Sequence, residues 1–521
     1  MSLRLGIDVG GTNTDAVLVD ADGQVVAACK RPTSDDLAGG IRLAVGTVLE
    51  DAPRDQIVLA SLGTTQCTNA IVERRGLRRV GVLRLGAPAT TAVPPLEDWP
   101  GDLRDAVQHE AHVVRGGNHV DGRVITEPDD AEIRAIAERF RGNVEAVAVS
   151  AVFSPISEAH ERRVAALVAE HLDVPVSVSH EIGSIGLLER ENATVVNAAL
   201  TGVAERATTA FEAVLREVGL QVPAFLSQND GTLMALDRAR RYPVLTIASG
   251  PTNSLRGGAW LSGRTDGIVV DVGGTTADVG ALADGFPRQS ALAVDVGGVR
   301  TNFRMPDLVA VALGGGTVVH TDGALRVGPD SVGHEITTRA LAFGGDTTTL
   351  TDVAVARGAT RLGRPPEAGR LAPDVVEAAW SIARQRLEAA VDLMRATRGD
   401  VPVIAVGGGA FLVPDDLPGT SEVLRPPHHE VANAVGAAMA EVSGTVDRIV
   451  RLEGGDRHEA LRAAVADARA QAVAAGADVD GLREIEVEEI SLSYLPGQAV
   501  RIRVRSAGPL VLAGAPGKVT A

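Results

Sequence analysis

The stretch Ile268-Val-Val-Asp-Val-Gly-Gly-Thr-Thr-Ala-Asp278 decides the fold. A β-branched run ends in an acid, two glycines and two hydroxyls, as expected where a buried strand delivers a phosphate-binding hairpin turn. The same phrase occurs earlier as Leu5-Gly-Ile-Asp-Val-Gly-Gly-Thr-Asn-Thr-Asp15. Setting Asp8 on Asp271 pairs Gly10 with Gly273, Gly11 with Gly274, Thr12 with Thr275 and Asp15 with Asp278 without a gap. The glycines let the backbone turn tightly and bring its N–H groups close to an anion, the hydroxyls add donors, and a strand-end carboxylate can hold a hydrated Mg²⁺. One copy alone reads equally well as an ordinary β-turn. Two copies, each between hydrophobic strands, favour a pair of turns gripping one polyphosphate from both sides.

Around these hairpins the chain is long and acidic. Its 521 residues exceed one compact core and predict two or three domains. Hydrophobic content of 45% with 22% charged residues is that of a globular protein, and with only 2% aromatics the core must be built from Ala, Val, Leu and Ile. A formal charge of −17 argues against a nucleic-acid or anionic-membrane partner, which would need clustered Lys and Arg. The two cysteines, Cys29 and Cys67, can form neither a disulfide framework nor an iron–sulfur site. No stretch approaches the roughly 18 apolar residues of a membrane span, so a cytoplasmic location is the expectation.

Along the chain, strands over 5–9, 15–19 and 25–29, a helix and a strand over 57–61 give the β-β-β-α-β order of an actin-like lobe. Residues 86–128, rich in Pro, Gly, His and Asp, read as an inserted loop-dominated segment. Helices and strands then alternate, implying a mainly parallel, sandwiched sheet. A long helical pattern over 189–218 bridges into a second actin-like lobe, where a strand is expected over 244–248. Helices are expected over 373–397 and 428–442, and a small α+β subdomain from about 444. The predicted fold is α/β, with two actin-like (ribonuclease H-like) lobes around a nucleotide cleft. The lobes span 1–188 and 189–443, and the C-terminal extension 444–521.

Gly407-Gly408-Gly409, after a hydrophobic strand, supplies a third part, because glycines let a flat base and ribose lie against the backbone. The order phosphate, phosphate, adenosine resembles the actin, hexokinase and Hsp70 ATPase superfamily. The match narrows with Gly63-Thr-Thr, Thr68-Asn-Ala, Glu73-Arg, Ser227-Gln-Asn-Asp-Gly231, Ser249-Gly-Pro251, Gly314-Gly-Gly316, Val327-Gly-Pro-Asp-Ser331, Thr351-Asp352 and Asn433-Ala-Val-Gly-Ala437. Together with the hairpins, these blocks resemble the A-type subunits of the ATP-dependent hydantoinase/5-oxoprolinase family, over roughly residues 4–445. The resemblance implies an enzyme that opens a cyclic amide (a hydantoin, 5-oxoproline or related lactam) or, as in relatives, carboxylates a ketone, at the expense of ATP, with the cyclic amide as the expectation. It also implies a partner, a second hydantoinase-type subunit, in a homo- or hetero-oligomer. The chain departs from the family at Leu62, where a histidine is usual, and at His334-Glu-Ile-Thr-Thr-Arg-Ala-Leu-Ala-Phe343, where a Pro-Gly-Pro-rich stretch is usual.

The residues divide by role. Asp8 and Asp271 are expected to hold Mg²⁺ through water, with Asp15 or Asp278 orienting a hydroxyl or the metal, and these four acids form the catalytic set. Gly10, Gly11, Thr12 and Thr14, with Gly273, Gly274, Thr275 and Thr276, bind phosphates, and Gly407, Gly408 and Gly409 receive the adenosine of ATP. Thr64, Asn69, Glu73, Asn229 and Asp230 are the substrate-side candidates. His320 and His334 bracket a predicted hairpin and could pair on a metal, though two histidines without a carboxylate pattern are a weak signal. Two other functions fit the same fold: an ATP-gated regulatory or chaperone-like clamp, and a small-molecule kinase.

Overall fold

In the computed structural model, which describes residues 2–33, 36–290, 293–365, 370–452, 457–492 and 499–511, the strand Leu3–Val9 has two different faces. Leu5 and Ile7 are fully buried in one cluster with Ile41, Ala44 and Val45 of the helix Leu37–Val48. Because side chains alternate along a strand, Gly6 and Asp8 point the other way, beneath the helix Ala432–Met439. A Cβ on Gly6 would overlap the Ala434 carbonyl oxygen, so glycine is what lets this helix lie on the sheet beside Asp8. The strand pairs antiparallel with Asn13–Val19, which sets Asp8 opposite Asp15, and parallel with Ile57–Thr64.

The second copy repeats the arrangement. Gly267–Val272 pairs antiparallel with Ala277–Ala283, setting Asp271 opposite Asp278, and Val401–Val406 runs parallel alongside. Val270 and Val272 join the core beneath the helix Pro373–Met394, while Val269 faces the helix Ser249–Ser262. Asp271, two residues on, shares that face.

The first sheet has nine strands, in the order Arg483–Ser491, Ala499–Gly508, Glu441–Arg451, Thr232–Ala235, Ala224–Ser227, Ile57–Thr64, Leu3–Val9, Asn13–Val19 and Val25–Pro32. The second sheet runs Phe286–Pro287, Ala277–Ala283, Gly267–Val272, Val401–Val406, Thr420–Leu424, with Leu308–Val311 also paired to Ala277–Ala283. A separate parallel sheet, Gln108–Arg115, Val80–Ala87, Ala146–Ala151 and Val176–Val178, joins the first lobe through the 31-residue helix Leu187–Glu217. There Arg84 and Glu191, both fully buried, form an ion pair with Nε–Oε2 of 2.7 Å.

Several expectations change. The segment 86–128 contains the helix Gly101–Val107 and an edge strand, Gln108–Arg115, whose half-buried polar residues carry no period-two signal. Residues 243–246 form a 3₁₀ turn rather than a strand, begun by Pro243, since a short apolar run does not specify its own period. The helix expected over 428–442 ends at Met439, and Glu441–Arg451 is a strand. The sheets also ignore the divisions at 188 and 443. Strands 224–227 and 232–235 lie in the first sheet, as do those of the C-terminal segment, whose helix Arg457–Ala474 packs on them through Ala464 and Ala468. Residues 512–521 of the expected extension lie outside the described residues.

Two helices therefore carry the chain between sheets: Ser249–Ser262 leads into the second and Ala432–Met439 leads back. They cross at glycines. A Cβ on Gly257 would overlap the Ala432 carbonyl oxygen, and one on Gly436 the Asn253 carbonyl oxygen. Gly257→Ala and Gly436→Ala should each destabilise by about 3 kcal/mol or more, the upper end of overpacking costs. Gly46→Ala, on a helix position with nothing within 4 Å, should stabilise by about 0.5–1 kcal/mol. Thermal unfolding should rank Gly46→Ala above the wild type and the two crossing variants well below it.

Candidate functional site

The two hairpin turns close with the same bond: Gly10 N donates to Asn13 O and Gly273 N to Thr276 O, each at 2.9 Å. They abut, since a Cβ on Gly274 would lie 3.4 Å from the Thr12 methyl, while Gly11 has open space on its Cβ side. Between them is a cleft of about 640 Å³. Gly407, at φ +83°, turns the chain at the end of its strand, where a Cβ would overlap Asp271 Oδ1. Gly409 N donates to Val272 O at 2.7 Å, tying this third turn to the second hairpin. The Gly314–Gly316 turn packs behind that hairpin, with Gly315 N to Gly273 O at 3.0 Å and Gly316 N to Gly274 O at 2.7 Å.

All four acids line the cleft, together with Gly10, Gly11, Thr12, Gly273, Gly274, Thr275, Thr276, Gly407, Gly408, Gly409, Asn69 and His334. The other candidates do not line it. Thr14 is buried against the Thr33 hydroxyl at 3.3 Å, and the Thr64 hydroxyl accepts from Gln66 N at 3.2 Å. Glu73 is exposed at the end of its helix. Asn229 is buried and donates to Arg304 O at 2.9 Å, while Asp230 accepts from the Thr232 hydroxyl at 2.6 Å and pairs with Arg505 at 3.2 Å. Asp230 thus joins the C-terminal strand Ala499–Gly508, while Asn229 ties its turn to the backbone at Arg304. His320 pairs with Asp330 at 3.0 Å, away from His334 in the cleft.

The side chains holding the acids were not assigned from the sequence. Asn253 donates to Asp8 Oδ1 at 3.1 Å, and Asn433 to Asp8 Oδ2 at 3.0 Å and to Asp15 Oδ2 at 2.8 Å. Ser254 hydrogen-bonds Asp271. Lys30 reaches both Asp15 oxygens at 2.9 and 2.8 Å and the Glu430 carbonyl oxygen at 2.9 Å. Lys30 was legible in principle, because it stands directly opposite Asp15 in the pairing of Asn13–Val19 with Val25–Pro32. Both asparagines come from helices distant in sequence; Asn433 opens the quoted block Asn433-Ala-Val-Gly-Ala437, which gives no role to its side chain, and Asn253 belongs to no quoted block.

Burial pushes Asp8 up to about 7; the asparagines oppose this and Asp15 and Asp271 add to it. Burial, with Asp271 beside it, pushes Asp278 up to about 7 as well. Asp15 and Asp271 are also raised by burial, against the pull of Lys30 and Ser254 respectively. The cleft is lined by five carboxylates, those of the four aspartates and Glu430, and by one Lys or Arg, Lys30. A polyphosphate entering such a site meets net negative charge, which a divalent cation held through water between the acids would reverse. Among the described residues no three His, Cys, Asp or Glu side chains gather to ligate a metal directly, so water-mediated contact is the mode this donor set fits.

A cleft between two copies of one hairpin, with a glycine turn closing it, defines a two-lobed α/β protein of the actin-like class. The chain belongs to the hydantoinase/oxoprolinase family: residues 4–172 match the hydantoinase/oxoprolinase N-terminal region and residues 190–364 the hydantoinase/oxoprolinase domain. It is 33% identical over 379 residues to the alpha subunit of the caprolactamase of Pseudomonas jessenii, covering 68% of this chain and 54% of that protein. It is 28% identical over 394 residues to the acetophenone carboxylase gamma subunit of Aromatoleum aromaticum, covering 68% and 53% respectively. The chain thus spans about half the length of these curated relatives. The crystal structure of the ATP-dependent caprolactamase from Pseudomonas jessenii superposes with a TM-score of 0.76 at 23% identity, covering 99% of this chain and 90% of that one, and shows the same fold. Among the described residues no helix is long and apolar enough to cross a membrane.

The raised acids carry a pH signature. Folding holds Asp8 and Asp278 protonated up to about pH 7, against an ordinary carboxylate value near 4, so their contribution is full below pH 4 and is lost as pH rises to 7. Asp278→Asn, which cannot ionise, should raise the melting temperature of the nucleotide-free protein by a few degrees at pH 8 and leave it nearly unchanged at pH 4. Equal shifts at both pH values would contradict the assignment.

Proposed function

We propose that the protein is an ATP-dependent hydrolase that opens a cyclic amide, a hydantoin, 5-oxoproline or related lactam, by phosphorylating the amide oxygen. The observation that carries this reading is the pair of acid-bearing hairpins facing one cleft, in a chain whose relative is named a caprolactamase. An unstrained amide resists water because resonance makes its carbonyl a poor electrophile. In the proposed reaction the amide oxygen attacks the γ-phosphorus and ADP leaves. Water then adds to the activated carbon and the ring C–N bond breaks with protonation of nitrogen, leaving an acyl phosphate that a second water hydrolyses, giving the ring-opened amino or carbamoyl acid, ADP and phosphate overall.

Phosphoryl transfer needs positioning and charge neutralisation more than covalent chemistry from the protein. Backbone N–H groups of Gly11–Thr12 and Gly274–Thr276 would face the phosphates, with the Gly10 and Gly273 N–H groups closing the two turns, and Gly407–Gly409 would receive the adenosine. Asp8 and Asp271, with Asp15 and Asp278 beside them, would hold Mg²⁺ through water, which supplies the charge the cleft lacks. Lys30, the one Lys or Arg among the lining residues, reaches from the first lobe to the carbonyl of Glu430 next to the adenosine turn. Asn69 lines the cleft from the first lobe on the substrate side. Both curated relatives are named as subunits, so a second hydantoinase-type chain completing the hydrolytic half is part of the proposal.

The test is ADP release with Mg²⁺ and a panel of hydantoins, 5-oxoproline and larger lactams. At least one should stimulate release above background, with ring-opened product formed alone or on adding the second subunit. Accumulation of a stable phosphorylated compound would favour the kinase reading, and slow ATP hydrolysis indifferent to every lactam the clamp. Asp271→Ala should abolish the Mg-nucleotide thermal shift. Lys30→Ala should keep the fold and lower kcat/KM for ATP at least tenfold; an unchanged value would remove Lys30 from the phosphate site.

A further inference from the structure

A second cavity, of about 580 Å³, lies where the parallel-sheet region meets the C-terminal strands, with Glu158, Arg162, His180, Asp447, Arg448 and Arg501 on its walls. It lies at the N-terminus of the 11-residue helix Ala159–Ala169, which has no side-chain cap. The first N–H groups of a helix have no intrahelical acceptor and carry the positive end of its dipole.

The side-chain chemistry points the same way. Glu161 is fully buried. Burial alone would raise its carboxyl, but hydrogen bonds from His180 and Ser179 and the nearby Arg190 hold it below the usual carboxylate range. It engages His180 Nδ1 at 2.6 Å and accepts from the His180 and Ala151 amides at 2.9 and 2.7 Å, which fixes the imidazole with Nε2 as its free nitrogen. The His180 side chain is 7% exposed, and Nε2 is buried without a hydrogen-bond partner, 3.4 Å from Glu158 Oε2. Arg448, which also lines the cavity, is anchored to Asp467 at 2.7 Å, and its Nε is likewise buried and unpartnered. Buried polar groups are almost always satisfied, so two unpaired nitrogens on the walls of one cavity need a common explanation.

We propose that this cavity is a binding site for a phosphate-class oxyanion, separate from the nucleotide cleft. Hydrogen phosphate, free or as a phosphomonoester, has both a P–O–H donor and P–O acceptors. It can therefore satisfy Arg448 Nε–H and His180 Nε2 with the imidazole neutral or charged, while its remaining oxygens face the uncapped helix end. A carboxylate accepts but has no proton to give. Glu158 and Asp447 on the walls are paired, with Arg162 at 2.9 Å and with Arg501 at 2.6 Å, so neither is a free negative charge against the anion.

Titration of the 521-residue chain with inorganic phosphate by calorimetry tests this, with acetate in parallel. Saturable phosphate binding should weaken at least tenfold in Arg448→Met and in His180→Gln, while both variants keep the wild-type thermal shift with Mg-nucleotide. Arg448 is partly exposed, so its variant stands even if the histidine variant fails to fold. Absence of saturable binding, an isotherm unchanged in Arg448→Met, or acetate binding as tightly as phosphate would overturn the assignment.

Discussion

Backbone meets backbone where the two helices between the sheets cross, and the two-lobed arrangement depends on that contact. Gly257 and Gly436 each occupy a place where a methyl group would overlap the other helix's carbonyl oxygen. These are also the helices on which the chain leaves the first sheet and returns. The side chains next to the crossing hold acids on both sides of the cleft. Asn253 holds Asp8 of the first hairpin while its neighbour Ser254 holds Asp271 of the second. Asn433, on the return helix, spans Asp8 and Asp15. One crossing thus sets the separation of the two acid pairs.

The acids are costly to place there, and the fold does not conceal this. Asparagine amides solvate Asp8 from both sides and Lys30 neutralises Asp15, yet both remain above the ordinary carboxylate range, because dipoles and one ammonium do not replace the water removed. A site whose carboxylates are raised in the absence of ligand gains most from a cation, since binding exchanges a proton for a divalent charge. On the proposed reading, the same balance lets a chain of net charge −17 serve a nucleotide, because the anion would be received by backbone N–H groups and a shared metal, not by a basic surface.

What the sequence disclosed and what it hid divide by locality. The hairpins, their facing acids and the long helix after residue 187 follow from runs of a dozen residues or so, where strand alternation and turn chemistry are self-contained. Lys30 needed one further step, the register of the neighbouring strand. Asn253 and Asn433 reach the acids only through a helix crossing, and although Asn433 opens a quoted motif block, that block does not say which carboxylates it meets. Asn229 and Asp230 show the opposite failure: a polar turn that reads as substrate-facing is taken up by Arg304 and Arg505 from distant segments. The C-terminal strands were recognisable as strands, but their place in the first sheet depends on Glu441–Arg451, a strand that follows its helix after a single residue.

The two hairpins share a backbone but not an electrostatic environment. In the first, each acid is engaged: Asp8 by two amides and Asp15 by an ammonium and an amide. In the second, the Asp278 carboxyl makes no hydrogen bond among the described residues. It stands opposite Ala310 in the pairing with Leu308–Val311, and Leu308 and Ala310 line the cleft beside it. A carboxyl with no hydrogen-bond partner beside aliphatic side chains is pushed up to about 7 by burial, with Asp271 adding to it, so near neutrality it can either give or take a proton. The first copy thus meets its acids with amides and an ammonium while the second leaves Asp278 beside aliphatic side chains, although burial raises Asp8 and Asp278 alike to about 7. Duplicated backbone supplied the symmetry, and the residues packed against each copy removed it.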